Sequence, residues 1–323
     1  MTIGKARAHT NIALIKYWGK ADATLKLPQN SSLSMTLDAF YTDTAFSLVK
    51  EDSSFSLNGE LQSPAGAKRV FDYVRVLQDR YQLPHDNFRI ETTNHVPTSA
   101  GLASSSSAFA ALAQAFVTAY GLDVDRTAIS RLARLGSGSA TRSVFGGFVE
   151  WQKGTNDEDS IAIPIAETPQ LDLCLLAVEI DFKQKQISSG MGMQAVVATS
   201  PYYDVWREQA ELGVVAMKDA ILANDFTKIG TLAEQSALAM HALNFTAKPP
   251  FTYFEPETLK AIQIVQELRQ AGIECYVTID AGPNVKILTQ LRNVKDITER
   301  FKKELSNVNI IKASFGPGVK TLD

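Results

Sequence analysis

The alternation of hydrophobic and polar residues changes its period along the chain. Residues 30–50 read NSSLSMTLDAFYTDTAFSLVK, where β-branched and aromatic residues alternate with polar ones. A period of two is typical of half-buried antiparallel strands. Within residues 66–82 the apolar positions recur at spacings of three and four: Val70, Tyr73, Val74, Leu77 and Tyr81. This spacing predicts an amphipathic helix that ends at Leu83-Pro84, and residues 88–93 predict the next strand.

The segment from Val96 to Leu122 contains no charged residue and is longer than the ~20 residues that cross a bilayer. Its first half, PTSAGLASSSS, is rich in glycine, proline and hydroxyl groups, so only AFAALAQAFVTAY is apolar. We therefore predict a polar loop at 94–103 followed by a buried core helix, which begins near Ser104 and ends at Gly121, rather than a membrane span.

The rest of the chain alternates predicted strands and helices. A helix at 126–135 precedes a hairpin of FVEWQ with IAIPI, whose acidic connection at 156–160 is expected to be a solvated tip. The later elements are a strand at 171–180, helices at 189–199, 203–223, 226–243 and 256–271, strands at 273–279 and 284–289, a helix at 294–305 and a strand at 308–313. This order is that of a ferredoxin-like split βαβ unit. At roughly 100 to 200 residues per domain, the length favours two domains, which we place at 1–183 and 184–323.

Composition excludes several classes of partner. The chain has 32 Lys and Arg against 35 Asp and Glu, a net charge of −3, so no overall positive field favours a nucleic acid or an anionic membrane. Cys174 and Cys275 lie in apolar runs without CxxC spacing, which predicts free thiols in a reducing compartment, and the N-terminus lacks a secretory apolar core. We therefore expect a cytoplasmic protein. The four histidines show no metal-ligand spacing, so no protein-bound transition metal is expected.

The loop at 97–107 is the first of four segments that suggest chemistry. It runs directly into a predicted helix, whose first N–H groups are unpaired and carry the positive end of the helix dipole. The small Gly101 and Ala103 allow close approach of backbone to a ligand, and Ser104, Ser105 and Ser106 add hydroxyl donors. Such a unit suits phosphates, although a simple serine cap with spare hydroxyls gives the same pattern.

Two further segments combine cations with small or aromatic residues. In NIALIKYWGK (11–20), Lys16 and Lys20 flank an aromatic pair that suits the wall of a pocket for a polyanion, or else the solvated end of a strand. In GSGSATRS (136–143), Arg142 follows a small-residue helix start that suits a carboxylate or phosphate, or else forms a tight turn between helices.

The fourth segment, TIDAGPNVK (278–286), places Asp280 at the end of an apolar strand before a sharp turn. Alone it reads as a hairpin with an Asx turn. In a cleft, the same carboxylate could orient a substrate hydroxyl or accept its proton.

Together, in this order and at these separations, the four segments resemble the diphosphomevalonate decarboxylase family of the GHMP kinase superfamily. The resemblance implies an α+β, GHMP-kinase-like fold with an N-terminal mixed α/β domain, a C-terminal ferredoxin-like domain and a cleft between them. It also implies a homodimer, ATP with Mg²⁺, and the ATP-dependent decarboxylation of (R)-5-diphosphomevalonate to isopentenyl diphosphate.

The resemblance assigns roles to matching residues. Asp280, Lys16 and Arg142 match catalytic positions, Asp280 acting on the 3-hydroxyl and Arg142 holding the carboxylate. The expected substrate-binding residues are Asn11, Tyr17, Trp18, Gly19, Lys20, Ser137, Ser139 and Ser189. The expected nucleotide-binding residues are Gly101, Ala103, Ser104, Ser105, Ser106 and Lys185.

One position departs from the family pattern, and other activities stay open. Many bacterial relatives carry Arg where this chain has Gly190, and that Arg contacts the anionic end of the substrate. The alternatives are a mevalonate-type small-molecule kinase or a monophosphate-specific decarboxylase on the same scaffold. A noncatalytic RNA-binding module is a further alternative, which the acidic composition disfavours.

Overall fold

The computed structural model describes residues 3–96, 104–180, 187–306 and 308–323. The strands in chain order are β1 (Ile3–Ile15), β2 (Ser32–Val49), β3 (Ser54–Leu57), β4 (Glu60–Leu61), β5 (Asn87–Asn94), β6 (Phe148–Trp151), β7 (Ala162–Ala166), β8 (Cys174–Glu179), β9 (Cys275–Ile279), β10 (Val285–Thr289), β11 (Asn309–Ala313) and β12 (Lys320–Thr321). The helices are α1 (Pro64–Arg80), α2 (Ser104–Tyr120), α3 (Arg126–Gly136), α4 (Ser189–Thr199), α5 (Tyr203–Leu222), α6 (Phe226–Thr246), α7 (Pro256–Gln270) and α8 (Val294–Glu304). Short 3₁₀ helices occupy Gly138–Val144 and Leu291–Asn293.

The larger sheet is organised around β2. This strand pairs with β1 along one side, and on the other side its N-terminal end pairs with β6 while its C-terminal half pairs with β5. The sheet continues through β12 beyond β1, through β3 and β4 beyond β5, and through β7 beyond β6. Strand β3 runs parallel to β5, whereas the other pairings described in this sheet are antiparallel.

The apolar helix α2 is the centre of one core. Its Phe109 and Phe116 are buried with residues of α1, α3 and β1, so the predicted buried core helix is confirmed. The helix approaches β1 closely at Gly4, where a Cβ atom would lie 2.0 Å from the carbonyl oxygen of Ala115. Along the described ranges, no helix has both the length and the apolar character needed to cross a membrane.

The smaller sheet has the strand order β11-β8-β10-β9, with every described pairing antiparallel. In β8, Leu176 and Val178 join the core beneath α7 and α8, while Leu175 and Ala177 face a second core that includes α5, α6 and β1. Both faces of β8 are covered, which explains its continuous apolar run. The α+β architecture and the predicted ferredoxin-like unit are confirmed.

Sheet membership changes between β7 and β8, before residue 183, because β8 pairs with β10 and β11. The last strand, β12, returns to pair with β1 in the larger sheet. The division of the chain into 1–183 and 184–323 stays a prediction.

The expectation of a solvated acidic tip at 156–160 was wrong for Asp157. Its carboxylate accepts hydrogen bonds from Arg80 of α1 and from Arg131 and Arg134 of α3, and only 18% of the side chain is exposed. Although burial opposes the effect, the bonds from Arg80 and Arg131 lower the pKa of Asp157 to about 2. The loop therefore ties α1 to α3.

Candidate active site

A cavity of about 560 Å³ opens where the end of β1, the start of α2, the Gly138–Val144 helix, the start of α4 and the turn after β9 meet. Most residues predicted from the four segments line it: Asn11, Lys16, Tyr17, Trp18, Lys20, Ser105, Ser137, Ser139, Arg142, Ser189 and Asp280. Segments as far apart as Lys16 and Asp280, 264 positions in sequence, therefore contribute to one site.

Lys16 and Asp280 form an ion pair in the lining of the cavity. The ammonium Nζ of Lys16 lies 2.8 Å from Oδ1 of Asp280 and also donates to the carbonyl oxygen of Ala13 at 2.8 Å. Only 2% of the Lys16 side chain is exposed, against 23% of that of Asp280, so the carboxylate is the more accessible group of the pair in the cavity that both residues line. Burial lowers the pKa of Lys16, and the negative charge of Asp280 opposes that shift.

Arg142 is held rigidly beside this pair. Its Nη1 donates to the hydroxyl of Ser32 at 2.5 Å, and its Nε donates to Oδ1 of Asn11 at 3.3 Å. Asn11 is fixed in turn, because its Nδ2 donates to the carbonyl of Ser139 and to the hydroxyl of Ser143. Burial lowers the pKa of Arg142 to about 10, against the attraction of Asp280, so the guanidinium stays charged at neutral pH. Two of its five N–H donors are used by described residues, which leaves donors for an anion.

Aromatic side chains form one wall. The Tyr17 ring lies 4.9 Å from that of Trp151, and Trp18 meets Tyr253 edge to face at 6.3 Å. The Tyr17 hydroxyl and the Trp18 indole N–H are buried, and neither has a hydrogen-bond partner in the described part of the chain. A buried donor without a partner costs about 1–3 kcal/mol, so both groups suit a polar ligand. Burial raises the pKa of Tyr17, which keeps its hydroxyl protonated.

Serine hydroxyls line the side nearest α2. The Oγ of Ser105 lies 3.1 Å from that of Ser137, which lies 3.4 Å from that of Ser139. Ser106 is fully buried, and its hydroxyl has no hydrogen-bond partner among residues 3–96, 104–180, 187–306 and 308–323. With Ser104 beginning the 17-residue helix α2, these groups fit the phosphates of a nucleotide. The predicted nucleotide-binding residues Gly101, Ala103 and Lys185 lie outside the described residues.

Positive charge dominates the cavity. Its described lining includes the cations Lys16, Lys20, Lys26, Arg69 and Arg142, against the single carboxylate of Asp280. This imbalance favours a polyanionic ligand.

Lys26 and Arg69 were missed by the sequence reasoning. Lys26 lies in a short loop without a motif, and Arg69 lies beside the apolar stripe of α1, where it reads as a solvated residue. No local signal distinguished them, because only the packing of α1 against α3 brings Arg69 to the carbonyl of Gly136 at 2.9 Å.

The described residues contain no group of three or more His, Cys, Asp or Glu side chains that could hold a metal ion. The described lining offers oxygen donors in the Asp280 carboxylate and the Ser105 hydroxyl, which are the kind of ligand that Mg²⁺ takes together with nucleotide phosphates.

Gly19 does not line the cavity but fixes the wall behind it. Its φ is +123°, and an added Cβ would lie 2.1 Å from Oη of Tyr203 and 2.8 Å from Cγ2 of Val197. The same Tyr203 hydroxyl donates to the carbonyl of Trp18 at 2.7 Å, so the two contacts lock the segment that carries Trp18.

We expect Gly19→Ala to destabilise the protein by about 2–4 kcal/mol, because strain at positive φ adds to the clash with Tyr203. Gly272→Ala is the matched control, since Gly272 has φ +86° and nothing within 4 Å of an added Cβ. Its cost should be about 1 kcal/mol, from strain alone. Urea unfolding of both variants measures the difference; equal costs would show that Tyr203 does not constrain Gly19.

Comparison with known proteins agrees with this site. The family model of the diphosphomevalonate decarboxylase-like N-terminal domain matches residues 8–162, and that of the mevalonate 5-diphosphate decarboxylase C-terminal domain matches residues 174–319. The chain is 37% identical to the diphosphomevalonate decarboxylase of Debaryomyces hansenii, over 94% of this chain and 84% of the relative.

Two solved structures are similar over the whole chain. Mevalonate diphosphate decarboxylase from Staphylococcus aureus has a TM-score of 0.95 and 40% identity, covering 100% of this chain and 98% of the other. MDDEF in complex with MVAPP, AMPPCP and magnesium has a TM-score of 0.93 and 42% identity, covering 100% and 99%. The chain therefore belongs to the diphosphomevalonate decarboxylase family, whose members are decarboxylating lyases that use ATP.

Proposed function

We propose that this chain converts (R)-5-diphosphomevalonate and ATP into isopentenyl diphosphate, ADP, phosphate and CO2. The observation that carries the proposal is the Lys16–Asp280 ion pair beside the guanidinium of Arg142 in one cation-rich cavity. A substrate that carries an alcohol, a carboxylate and a diphosphate offers a partner to Asp280, to Arg142 and to the other cations of the cavity, respectively. The related structure that holds MVAPP, AMPPCP and magnesium supports the same ligands here.

Asp280 is assigned to the 3-hydroxyl of the substrate. A carboxylate is a much weaker base than an alkoxide, so it does not remove the alcohol proton before phosphoryl transfer begins. Its role is to orient the hydroxyl and to accept the proton late, as the γ-phosphoryl group moves through a loose transition state. Lys16, at 2.8 Å, holds the carboxylate in the orientation that faces the cavity.

Phosphorylation prepares the decarboxylation. Hydroxide is a poor leaving group from the tertiary C3, whereas phosphate leaves this carbon readily once the ester has formed and takes the electron pair of the C3–O bond. The positive charge that develops at C3 is quenched when the bond between C2 and the carboxylate carbon breaks. The electron pair of that bond forms the new C2–C3 double bond, and CO2 departs. Arg142, supported by Asn11, is placed to orient the carboxylate until this step.

The remaining predicted residues are assigned to the two phosphate groups. Tyr17, Trp18, Lys20, Ser137, Ser139 and Ser189 are proposed to surround the diphosphate, and Gly19 supports them through the backbone. The start of α2 with Ser104, Ser105 and Ser106, together with Gly101, Ala103 and Lys185, is proposed to hold the phosphates of ATP. Mg²⁺, when bound, neutralises charge on the β- and γ-phosphate oxygens.

A parallel assay tests the proposal. The protein is incubated with ATP, Mg²⁺ and either the mono- or the diphosphate of mevalonate, and ADP, phosphate and CO2 are quantified. We expect one phosphate and one CO2 for each ADP with the diphosphate. ADP without CO2 would establish a kinase, CO2 from the monophosphate alone would establish the alternative decarboxylase, and salt-sensitive RNA binding without ATP turnover would indicate a binding module.

We also propose a cytoplasmic homodimer. Cys174 and Cys275 are free thiols, and burial raises their pKa values to about 11 and about 12, which supports a reducing compartment.

On α5, four apolar side chains at spacings of seven, three and seven are more than half exposed: Val205, Leu212, Val215 and Leu222. Leu212 also lines a groove of about 400 Å³ between α5 and α6. A ridge beside a groove suits a self-complementary contact with a second copy.

Leu212→Asp is expected to convert the dimer into monomers, because it places a charge in that apolar contact. Light scattering after size-exclusion chromatography measures the mass. Leu61→Asp is the control, since Leu61 is 72% exposed on β4 and should leave the dimer intact. A wild-type monomer, or a dimer insensitive to Leu212→Asp, would contradict this interface.

A further inference from the structure

Lys26 lines the cavity with an unusual backbone conformation and an ammonium that is fixed by two hydrogen bonds. Its φ is +53°, a left-handed value that disfavours residues other than glycine, asparagine and aspartate. Its Nζ donates to the carbonyl oxygen of Gly136 at 2.7 Å and to that of Leu135. Since an ammonium has three donors, these two bonds, counted over the residues that the structure describes, leave one N–H for another partner. Strained positions cluster where a side chain serves a function.

Lys26 has cations rather than carboxylates as charged neighbours. No ion pair involving Lys26 occurs in the described ranges, and the guanidinium of Arg69 shares the carbonyl of Gly136. Burial, together with the charges of Arg69 and Lys20, lowers the pKa of Lys26 to about 8. Three cations that repel one another at one end of a cavity are stabilised by an anion that bridges them.

The wall formed by the start of α4 carries no charge. Ser188, Ser189 and Gly190 line the same cavity as Lys26, and an added Cβ at Gly190 would meet only the Ser188 hydroxyl, at 4.0 Å. Within the described lining, Lys16 is paired with Asp280 and Arg142 is bonded to Asn11 and Ser32, so Lys20, Lys26 and Arg69 are the cations that remain for a further anionic group.

We infer that Lys26 binds the terminal phosphate of the substrate and thereby selects diphosphomevalonate over the monophosphate. The inference rests on the proposed function and adds a residue to it. With its ammonium fixed on two carbonyls, Lys26 directs its remaining N–H toward the anion shared with Lys20 and Arg69. A monophosphate lacks the group that this N–H contacts, so it gains little from Lys26.

Lys26→Met tests the inference, because methionine keeps most of the side-chain volume without the charge. KM for the diphosphate is expected to rise about ten- to a hundred-fold, the effect of losing one charge-assisted hydrogen bond. KM for ATP, and kcat/KM for any turnover of the monophosphate, should change less than about threefold on the same scale. Lys295→Met is the control, since 83% of the Lys295 side chain is exposed on α8.

Lys26→Arg separates charge from structure. Wild-type affinity for the diphosphate should fall as the pH rises through about 8, because Lys26 loses its proton, while the Arg variant keeps its charge and its affinity. An increase in KM for ATP would place Lys26 at the nucleotide, and equal losses for both mevalonate phosphates would remove its role in selection. A wild-type protein that releases no CO2 from the diphosphate would instead refute the proposed function.

Discussion

Asp280→Asn is expected to lower kcat by about three orders of magnitude while KM for diphosphomevalonate changes less than about threefold. Asparagine keeps the shape of the side chain and still contacts the 3-hydroxyl, but it cannot accept the proton that leaves during phosphoryl transfer. Steady-state kinetics with CO2 and ADP measured together tests this result. Asp72→Asn, on the exposed face of α1, should leave both constants unchanged.

The same variant has a second expected effect, on stability. Asn at 280 leaves the buried ammonium of Lys16 without its counter-ion, so the pKa of Lys16 should fall further below its ordinary value. The unfolded chain then binds more protons than the folded one, and stability should rise with pH more steeply than in the wild type as the pH approaches about 10, the ordinary lysine pKa. A kcat close to that of the wild type would remove Asp280 from the mechanism.

Arg142→Lys is expected to reduce kcat/KM for diphosphomevalonate by about a hundred- to a thousand-fold, although the charge is kept. The ammonium cannot reproduce the fork that binds a carboxylate while contacting Asn11 and Ser32. KM for ATP should change less than about threefold, because Arg142 is assigned to the other substrate.

Arg126→Lys is the matched control for this loss of geometry. Arg126 also binds a carboxylate with two nitrogens, that of Glu167, but at the exposed end of α3. Its conversion to Lys should leave kinetics unchanged and cost no more than about 1 kcal/mol of stability. Retention of kcat/KM within about threefold in Arg142→Lys would show that the guanidinium does not orient the substrate carboxylate.

Local periodicity was sufficient to predict much of the fold. The helices expected at 189–199 and 294–305 are α4 and α8, which end within one residue of the expected positions. The hairpin that carries Asp280 was predicted because strand residues flank a turn sequence, and β9 and β10 pair as expected. Such elements depend on neighbouring residues, so the sequence pattern contains the information.

Features that depend on distant packing were not predictable in this way. Strand β1 alternates in burial only over its first residues and is then buried on both faces, so it does not show a simple period of two. Asp157 was mistaken for a solvated residue because its three arginines come from α1 and α3. Lys26 lies in the cavity lining because its ammonium donates to the carbonyl oxygens of Leu135 and Gly136 at the end of α3, and no sequence motif predicts this contact. The meeting of Lys16 and Asp280 was anticipated only through the resemblance of whole motifs.

The position of Asp280 relative to the substrate alcohol determines whether the carboxylate can orient the hydroxyl and accept its proton. A crystal structure with diphosphomevalonate and a nonhydrolysable ATP analogue measures it directly. We expect a carboxylate oxygen of Asp280 within about 3 Å of the 3-hydroxyl oxygen, with the guanidinium of Arg142 on the substrate carboxylate. A substrate bound with its alcohol more than about 5 Å from Asp280 and its carboxylate away from Arg142 would contradict the roles assigned to both residues.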